Sequence, residues 1–275
     1  MVDSRTDYPE LGTKAARMVM LELARILGEY KDSMLIVGGW VPELLFADAR
    51  PQHVGSLDVD IALDHRTIGA KAYRMIEEYL ARQGYKRGPE PFVFVRSVTV
   101  GGRSVDVHVD FLAGEYQGTG KSHRHQRIQT LRAHKARGCD LAFNMFERVT
   151  IEGRLPSGAA DSAVVKVAGV VPFIVMKAMA LAGRVKAKDA WDLWFCLSHF
   201  AGGNVALARA FQPCVDNKLV HEALTKIADK FQSPAHFGPQ SVADFDNLAP
   251  GDDRDLQIRD AFERVNDLLR RLGIA

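Results

Sequence analysis

The chain has 275 residues, 47% of them hydrophobic and 25% charged, with a net charge of +2. These proportions exclude a disordered chain and describe a globular one, long enough to bury a sizeable core in a catalytic domain plus a helical one. Three cysteines, Cys139, Cys196 and Cys214, are too few and too irregularly spaced for a disulfide framework or a zinc site. No signal peptide opens at Met1, and the longest apolar stretch (170–183) carries Lys177 and is too short to span a bilayer. A cytoplasmic protein with no membrane partner is expected.

In chain order, residues 14–30 read as an amphipathic helix. The apolar run Met34-Leu35-Ile36-Val37 stops at Gly38-Gly39, and a helix-like pattern begins at Pro42, a residue suited to a first helical turn. Glycines there let the backbone approach a ligand, and a new helix offers free N–H groups to an anion. By itself this is also an ordinary strand-to-helix turn. Residues 54–63 then alternate with period two, so Asp58 and Asp60 are expected on one face of a strand and Leu57, Val59, Ile61 and Leu63 on the other. Two adjacent carboxylates repel unless a cation lies between them, and hard oxygen ligands on a strand suit Mg²⁺. An isolated Asp-x-Asp equally describes a solvated edge strand.

Residues 66–82 read as a second helix. Phe92 to Val100 and Arg103 to Leu112 are two β-rich runs joined by Gly101-Gly102, a tight-hairpin signal. On the second run Asp106, His108 and Asp110 share a face; Asp110, near the strand end, is the choice for a third carboxylate and Asp106 the alternative. Between residues 121 and 138 lie Lys121, Arg124, Arg127, Arg132, Lys135 and Arg137, with His123, His125 and His134 and no acid. Such a run neutralises nucleic-acid phosphates or forms a solvated face. Residues 140–153 read as one or two strands. From Pro172 onward the pattern is helical, with breaks near Gly202-Gly203, Pro213 and Ser233-Pro234. Residues 241–255 read as acidic and turn-rich, and a last helix is expected over 256–272. In the helical part Lys177 and Arg184 are two turns apart on one face, and Asp189 and Asp192 are one turn apart on the next helix.

This ordered set of blocks resembles the polymerase-β-type nucleotidyltransferase superfamily: an apolar strand, Gly-Gly, a helix, Asp-x-Asp on a second strand and a single Asp on a third. Within it the chain is most similar to the AbiEii-type nucleotidyltransferases, toxins of bacterial toxin–antitoxin and abortive-infection pairs. The support for that is Lys177, Arg184 and Lys188-Asp189-Ala190-Trp191-Asp192, since the family carries an apolar helix with Lys, then Arg, then Lys-Asp-x-x-Asp. The resemblance covers residues 35–197. The interval between Gly39 and Asp58 is longer than in minimal members, and Trp40 stands where a small residue is usual.

The resemblance implies an α/β (α+β) fold: a mixed-sheet nucleotidyltransferase core at residues 1–160, flanked by helices, and a helical domain at 161–275. It implies transfer of a nucleoside monophosphate from a nucleoside triphosphate to an acceptor hydroxyl, with a tRNA 3′ end (or other RNA) preferred and a cognate antitoxin protein as partner. Asp58, Asp60 and Asp110 would hold two Mg²⁺ ions, or Mn²⁺ in their place. Gly38, Gly39 and Ser56 would bind phosphates and Lys177 would contact the triphosphate, with Arg184 on the same nucleotide-facing surface. Asp189 or Asp192 would orient Lys177 or assist the hydroxyl. Two alternatives share the fold: a small-molecule nucleotidyltransferase of the aminoglycoside-modifying kind, and a non-catalytic nucleotide-binding module.

Overall fold

A computed structural model describes residues 4–64, 66–68, 70–90, 92–113, 125–128, 131–184 and 186–274. The chain divides into two compact units, one of residues 8–45 and 54–169, the other of residues 1–7, 46–53 and 170–275. The division after residue 169 replaces the expected one at 160/161, because a strand beginning at Ala160 belongs to the sheet. The second unit also takes in the short segment 46–53, which accounts for the long interval between Gly39 and Asp58.

The first unit begins with helix α1 (Glu10–Ile26), whose Ala15, Ala16, Val19, Met20 and Leu23 recur every three or four residues and are buried. It starts and ends four residues earlier than expected, and a 3-10 turn at Gly28–Tyr30 follows it. Strand β1 (Met34–Val37) leads through a 3-10 turn at Gly38–Trp40 into α2 (Val41–Leu45). The remaining elements are β2 (Val59–Leu63), α3 (Ala70–Arg82), β3 (Lys86–Arg87), β4 (Val93–Val100), β5 (Arg103–Ala113), β6 (His125–Ile128), β7 (Leu131–Lys135), α4 (Cys139–Ala142), β8 (Phe146–Arg154) and β9 (Ala160–Ala168). The sheet runs β3-β4-β5-β2-β1-β9-β8, with the β6–β7 pair attached to β5. It is mixed: β1 pairs β2 antiparallel and β9 parallel, and β2 pairs β5 parallel. The α/β class expected from sequence is therefore present. Val59, Ile61, Leu63, Val107, Val109 and Phe111 lie at or below 1% exposure, so alternate residues of the two central strands form the core.

The second helix starts at Ala70 rather than at residue 66, because Asp64 accepts the Arg66 backbone N–H at 3.0 Å and holds a turn there. Residues 140–153 hold the short helix α4 before a single strand: Gly138, at φ 96°, opens it, and Cys139 and Ala142 are buried.

The second unit is helical: α5 (Val170–Gly183), α6 (Ala187–His199), α7 (Gly203–Phe211), α8 (Lys218–Lys230), α9 (Phe237–Phe245) and α10 (Asp252–Arg271). Residues 241–245, expected as turn, form the second half of α9; Ser241, Val242, Ala243 and Phe245 are buried there, and packing overrides local polarity. Helix α10 opens at Asp252, with Asp252, Asp253 and Asp255 in its first turn, where the helix dipole favours acids. Among the described residues, no helix is long and apolar enough to cross a membrane.

Candidate active site

The first unit gathers the expected carboxylates at the centre of its sheet. Asp60 on β2 stands in register with Asp110 on the parallel neighbour β5, and with Val37 on β1. Partners in register point their side chains to one face, with neighbouring strands about 4.8 Å apart. Asp58 is not in the strand. It lies in a bend before Val59, because Gly55 adopts φ 72° and ends the extended run. The expected strand over 54–63 is thus only its second half.

Trp40 explains how that bend is held. Its ring is buried at 2% exposure, its Nε1–H donates to the Asp58 carbonyl at 2.9 Å, and its edge lies where a side chain at Gly55 would have to go. Trp40 therefore braces the Gly55–Asp58 segment. The sequence showed only an unusual bulky residue beside two glycines; nothing in it indicated the bond to a carbonyl 18 positions on.

Gly38 adopts φ 69°, and a Cβ there would overlap the Asp60 carboxylate. The turn is thus glycine for two reasons, backbone conformation and direct packing on Asp60. The helix expected after it is α2, five residues long and separated from Gly38 by the 3-10 turn, with Pro42 at its second position. Gly38→Ala should destabilise the chain by about 1–2 kcal/mol from the left-handed conformation alone and displace Asp60. A lowered urea midpoint together with a lost Mg²⁺-dependent thermal shift is the expected result.

Asp110 is pushed up to about 6, first by burial and then by the charge of Asp58, with His108 opposing. Asp58 and Asp110 therefore sense one another. Asp106, the alternative, is exposed and accepts a hydrogen bond from Ser97 Oγ at 2.5 Å within the β4–β5 hairpin, which separates it from this pair. Among the described residues, no three His, Cys, Asp or Glu side chains converge as a preformed metal cluster. The donor set suits a cation that takes one or two carboxylates and completes its shell from phosphate and water, as Mg²⁺ does.

The raised Asp110 value has a definite sign in stability. The folded state holds this proton more tightly than the unfolded chain, so the contribution is favourable below the ordinary carboxylate value of 3.8 and is lost as pH rises through about 6. Asp110→Asn should then stabilise the metal-free protein at pH 7–8 by about 1 kcal/mol after allowance for solvent screening, roughly 2–4 °C in Tm. The same variant should lose its Mg²⁺-dependent thermal shift, and in wild type that shift should fade as pH drops through about 6.

Ser56 Oγ accepts the Asp58 backbone N–H at 3.4 Å and so belongs to the same bend. Gly39 is buried in the 3-10 turn. Of the basic segment, Lys121, His123 and Arg124 lie outside the described residues, as do the side chains of His125, Arg127, Arg132, His134 and Lys135. Its described strands β6 and β7 pair antiparallel, and β7 pairs with β5 at Leu112 and Ala113, just past Asp110.

The remaining expected residues lie in the helical unit, where they form a buried ion network. Lys177 Nζ reaches Asp189 Oδ1 at 2.8 Å and Asp192 Oδ2 at 2.7 Å, at 8% exposure for the lysine. Arg184 Nε donates to Asp189 Oδ2 at 2.8 Å. Lys188 Nζ donates to Asp192 Oδ1 at 2.9 Å, and His53 Nε2 meets that same oxygen at 2.8 Å. Burial alone would lower the Lys177 pKa, but Asp189 and Asp192 reverse this and raise it. Burial would raise Asp192, and Lys177, Lys188 and His53 hold it well below the carboxylate range. His53 is pushed down to about 4 by burial and by Lys188, so it is neutral at physiological pH. Its ring packs 5.0 Å from Trp191 and 4.9 Å from Phe195. Both carboxylates thus hold Lys177. His53 and Lys188 as members of the network were not foreseen. The i,i+4 spacing of Lys188 and Asp192 was the available signal for one; a lone histidine 139 positions from its partner offered none for the other.

No model of a known protein family matches the chain, and no curated protein matches it. Among solved structures, it is similar to the JHP933 protein of Helicobacter pylori, at 14% identity and a TM-score of 0.46 over 94% of this chain and 93% of that one.

Proposed function

We propose that this chain is a metal-dependent nucleotidyltransferase. The observation that carries the reading is the placement of Asp60 and Asp110 side by side on parallel strands, with the Asp58 charge lifting Asp110. Crowded carboxylates, one of them half-buried and with its pKa raised, form a site whose electrostatic strain a divalent cation relieves. Bound by Asp58, Asp60 and Asp110, two Mg²⁺ or Mn²⁺ ions would supply charge neutralisation and Lewis acidity for attack of an acceptor hydroxyl on the α-phosphorus, with pyrophosphate leaving.

The chain's own groups have distinct tasks in this reading. Asp110, at about 6, is ionised at neutral pH and ready to act as ligand. Gly38 and Gly39 offer backbone without side chains beside Asp60, and Ser56 a hydroxyl in the Asp58 bend, for the β- and γ-phosphates. Lys177 is committed to Asp189 and Asp192; its part is to hold the helical unit's network, and Arg184 extends that network through Asp189. The preferred acceptor is a tRNA 3′ end. The basic composition of residues 121–138 and the attachment of their strand β7 to β5 beyond Asp110 support a polyanionic acceptor. On this reading the protein is the toxin of a pair and its antitoxin is a protein partner.

The test is transfer of label from each α-³²P nucleoside triphosphate into total tRNA with Mg²⁺, beside folded Asp58→Ala and Asp60→Ala proteins. Labelled tRNA that vanishes in both variants is expected. Undiminished transfer by the variants rejects the site. Pyrophosphate release with an aminoglycoside but not with tRNA moves the acceptor to a small molecule, and no release with any acceptor rejects the enzyme.

A further inference from the structure

Among the described residues, strand β8 forms one border of the sheet: it pairs with β9 on one side and ends the strand order on the other. It is nine residues long, Phe146-Glu147-Arg148-Val149-Thr150-Ile151-Glu152-Gly153-Arg154, whereas the opposite border, β3, has two. A long border strand presents unpaired backbone N–H and C=O groups that template another strand. Edge charges usually discourage such pairing, so their arrangement here decides what the strand accepts.

The arrangement is self-complementary. When β8 is laid antiparallel to a second β8 about a two-fold axis through Thr150, Arg148 faces Glu152 of the copy and Glu152 faces Arg148, so opposite charges meet twice. Phe146 faces Arg154 and Arg154 faces Phe146, a cation over an aromatic ring at each end. Arg148 already lies over Phe146 within the chain, 5.3 Å from its ring centre, so the ring is in use as a cation platform. Thr150 faces Thr150, a favourable cross-strand pair. These residues share the face on which β9 presents Val164, the cross-strand partner of Thr150 and 60% exposed. Across the axis that row would read Val164, Thr150, Thr150, Val164. On the other face Val149 meets Ile151 twice, apolar against apolar. Moving the two-fold axis by two residues, to Arg148 or to Glu152, shifts the register by four and sets like charge against like at the axis.

The geometry points to a homodimer in which two copies of this chain join their sheets edge to edge through antiparallel β8 strands centred on Thr150. The partner is a second copy because no other strand is required to carry the complementary sequence. The interface is isologous, and it closes after two copies.

Sedimentation equilibrium of the full chain should show a dimer of the 30.4 kDa protomer. Arg148→Glu alone should weaken it about tenfold or more, as should Glu152→Arg, since each puts like charges opposite one another twice. The double variant Arg148→Glu/Glu152→Arg should return to within about threefold of wild type, because the pairs are restored with reversed sign. A single reversal that dissociates without rescue by the double would mean that local damage, not pairing, broke the contact, and would overturn the register.

Thr150→Cys gives an independent reading. Residues directly opposite on antiparallel strands have Cα atoms about 4.5–5.5 Å apart, within disulfide reach. Under mild oxidation this variant should form a covalent dimer on a non-reducing gel, whereas Arg148→Cys should not link to itself. Cys139, Cys196 and Cys214 are buried and leave a low background. A wild-type protein that stays at protomer mass throughout, or a Thr150→Cys protein that does not cross-link, refutes the dimer.

Discussion

Asp60→Asn should abolish nucleotide transfer, by about 10³-fold or more, while the chain stays folded. Asp60 is built into the centre of the framework: it stands between Val37 and Asp110 in the sheet, and the Gly38 turn packs on its carboxylate. Asn has the same shape, so that packing is kept. What it removes is the charge that a divalent cation requires. The expected signature is a near-wild-type urea transition, a lost Mg²⁺-dependent thermal shift and no labelled product. Asp58→Asn should give the same loss of activity with one further sign. Because Asp58 is the charge that lifts Asp110, its removal should bring the Asp110 pKa down from about 6, which carboxyl-resolved NMR titration reads directly. Transfer that survives Asp60→Asn would sink the assignment of the reaction to this site.

The sequence made the carboxylate strands legible because alternation and glycine turns are local properties. Val59, Ile61, Val107 and Val109 alternate with polar neighbours, and Gly101-Gly102 marks the hairpin that brings Asp110 back along the sheet. That β2 and β5 are parallel and in register at Asp60 and Asp110 is a long-range fact that no local pattern carries. The Asp58 bend was misread as strand for a related reason: its conformation is set by Gly55 and by the Trp40 bond, and Trp40 is remote in sequence. Periodicity also failed over residues 241–245, where polar residues sit in a helix held by tertiary packing. The Lys177–Asp189–Asp192 set was legible as a helical-face pattern, but the burial of its carboxylates, at 1% and 0% exposure, and their pairing with Lys177 come from tertiary packing that no local pattern carries.

Asp192→Ala should cost about 3–5 kcal/mol of stability, the toll of leaving buried charge unpaired. Asp192 is the hub: Lys177, Lys188 and His53 all reach its carboxylate. Removing it leaves Lys177 with Asp189 but takes from Lys188 the group that favours its charge, and burial already pulls the Lys188 pKa down. Asp192→Asn keeps the shape and removes only the charge, so it separates electrostatics from cavity formation; most of the loss should persist. The pH profile supplies a second sign. His53, at about 4 against an ordinary 6.5, resists protonation in the folded state, so its contribution is intact above 6.5 and is lost as pH falls toward 4, on the order of 3 kcal/mol if it acted alone. Asp110 acts oppositely over nearly the same window, gaining stability as pH falls from about 6 to 3.8. In wild type the two slopes offset one another between pH 4 and 6. Asp110→Asn removes one of them, and urea unfolding of that variant should show a steeper acid loss than wild type. If the two profiles instead run parallel, Asp110 does not hold its proton above the ordinary carboxylate range; if the Asp110→Asn profile stays flat between pH 6.5 and 4, His53 is not held neutral by its burial.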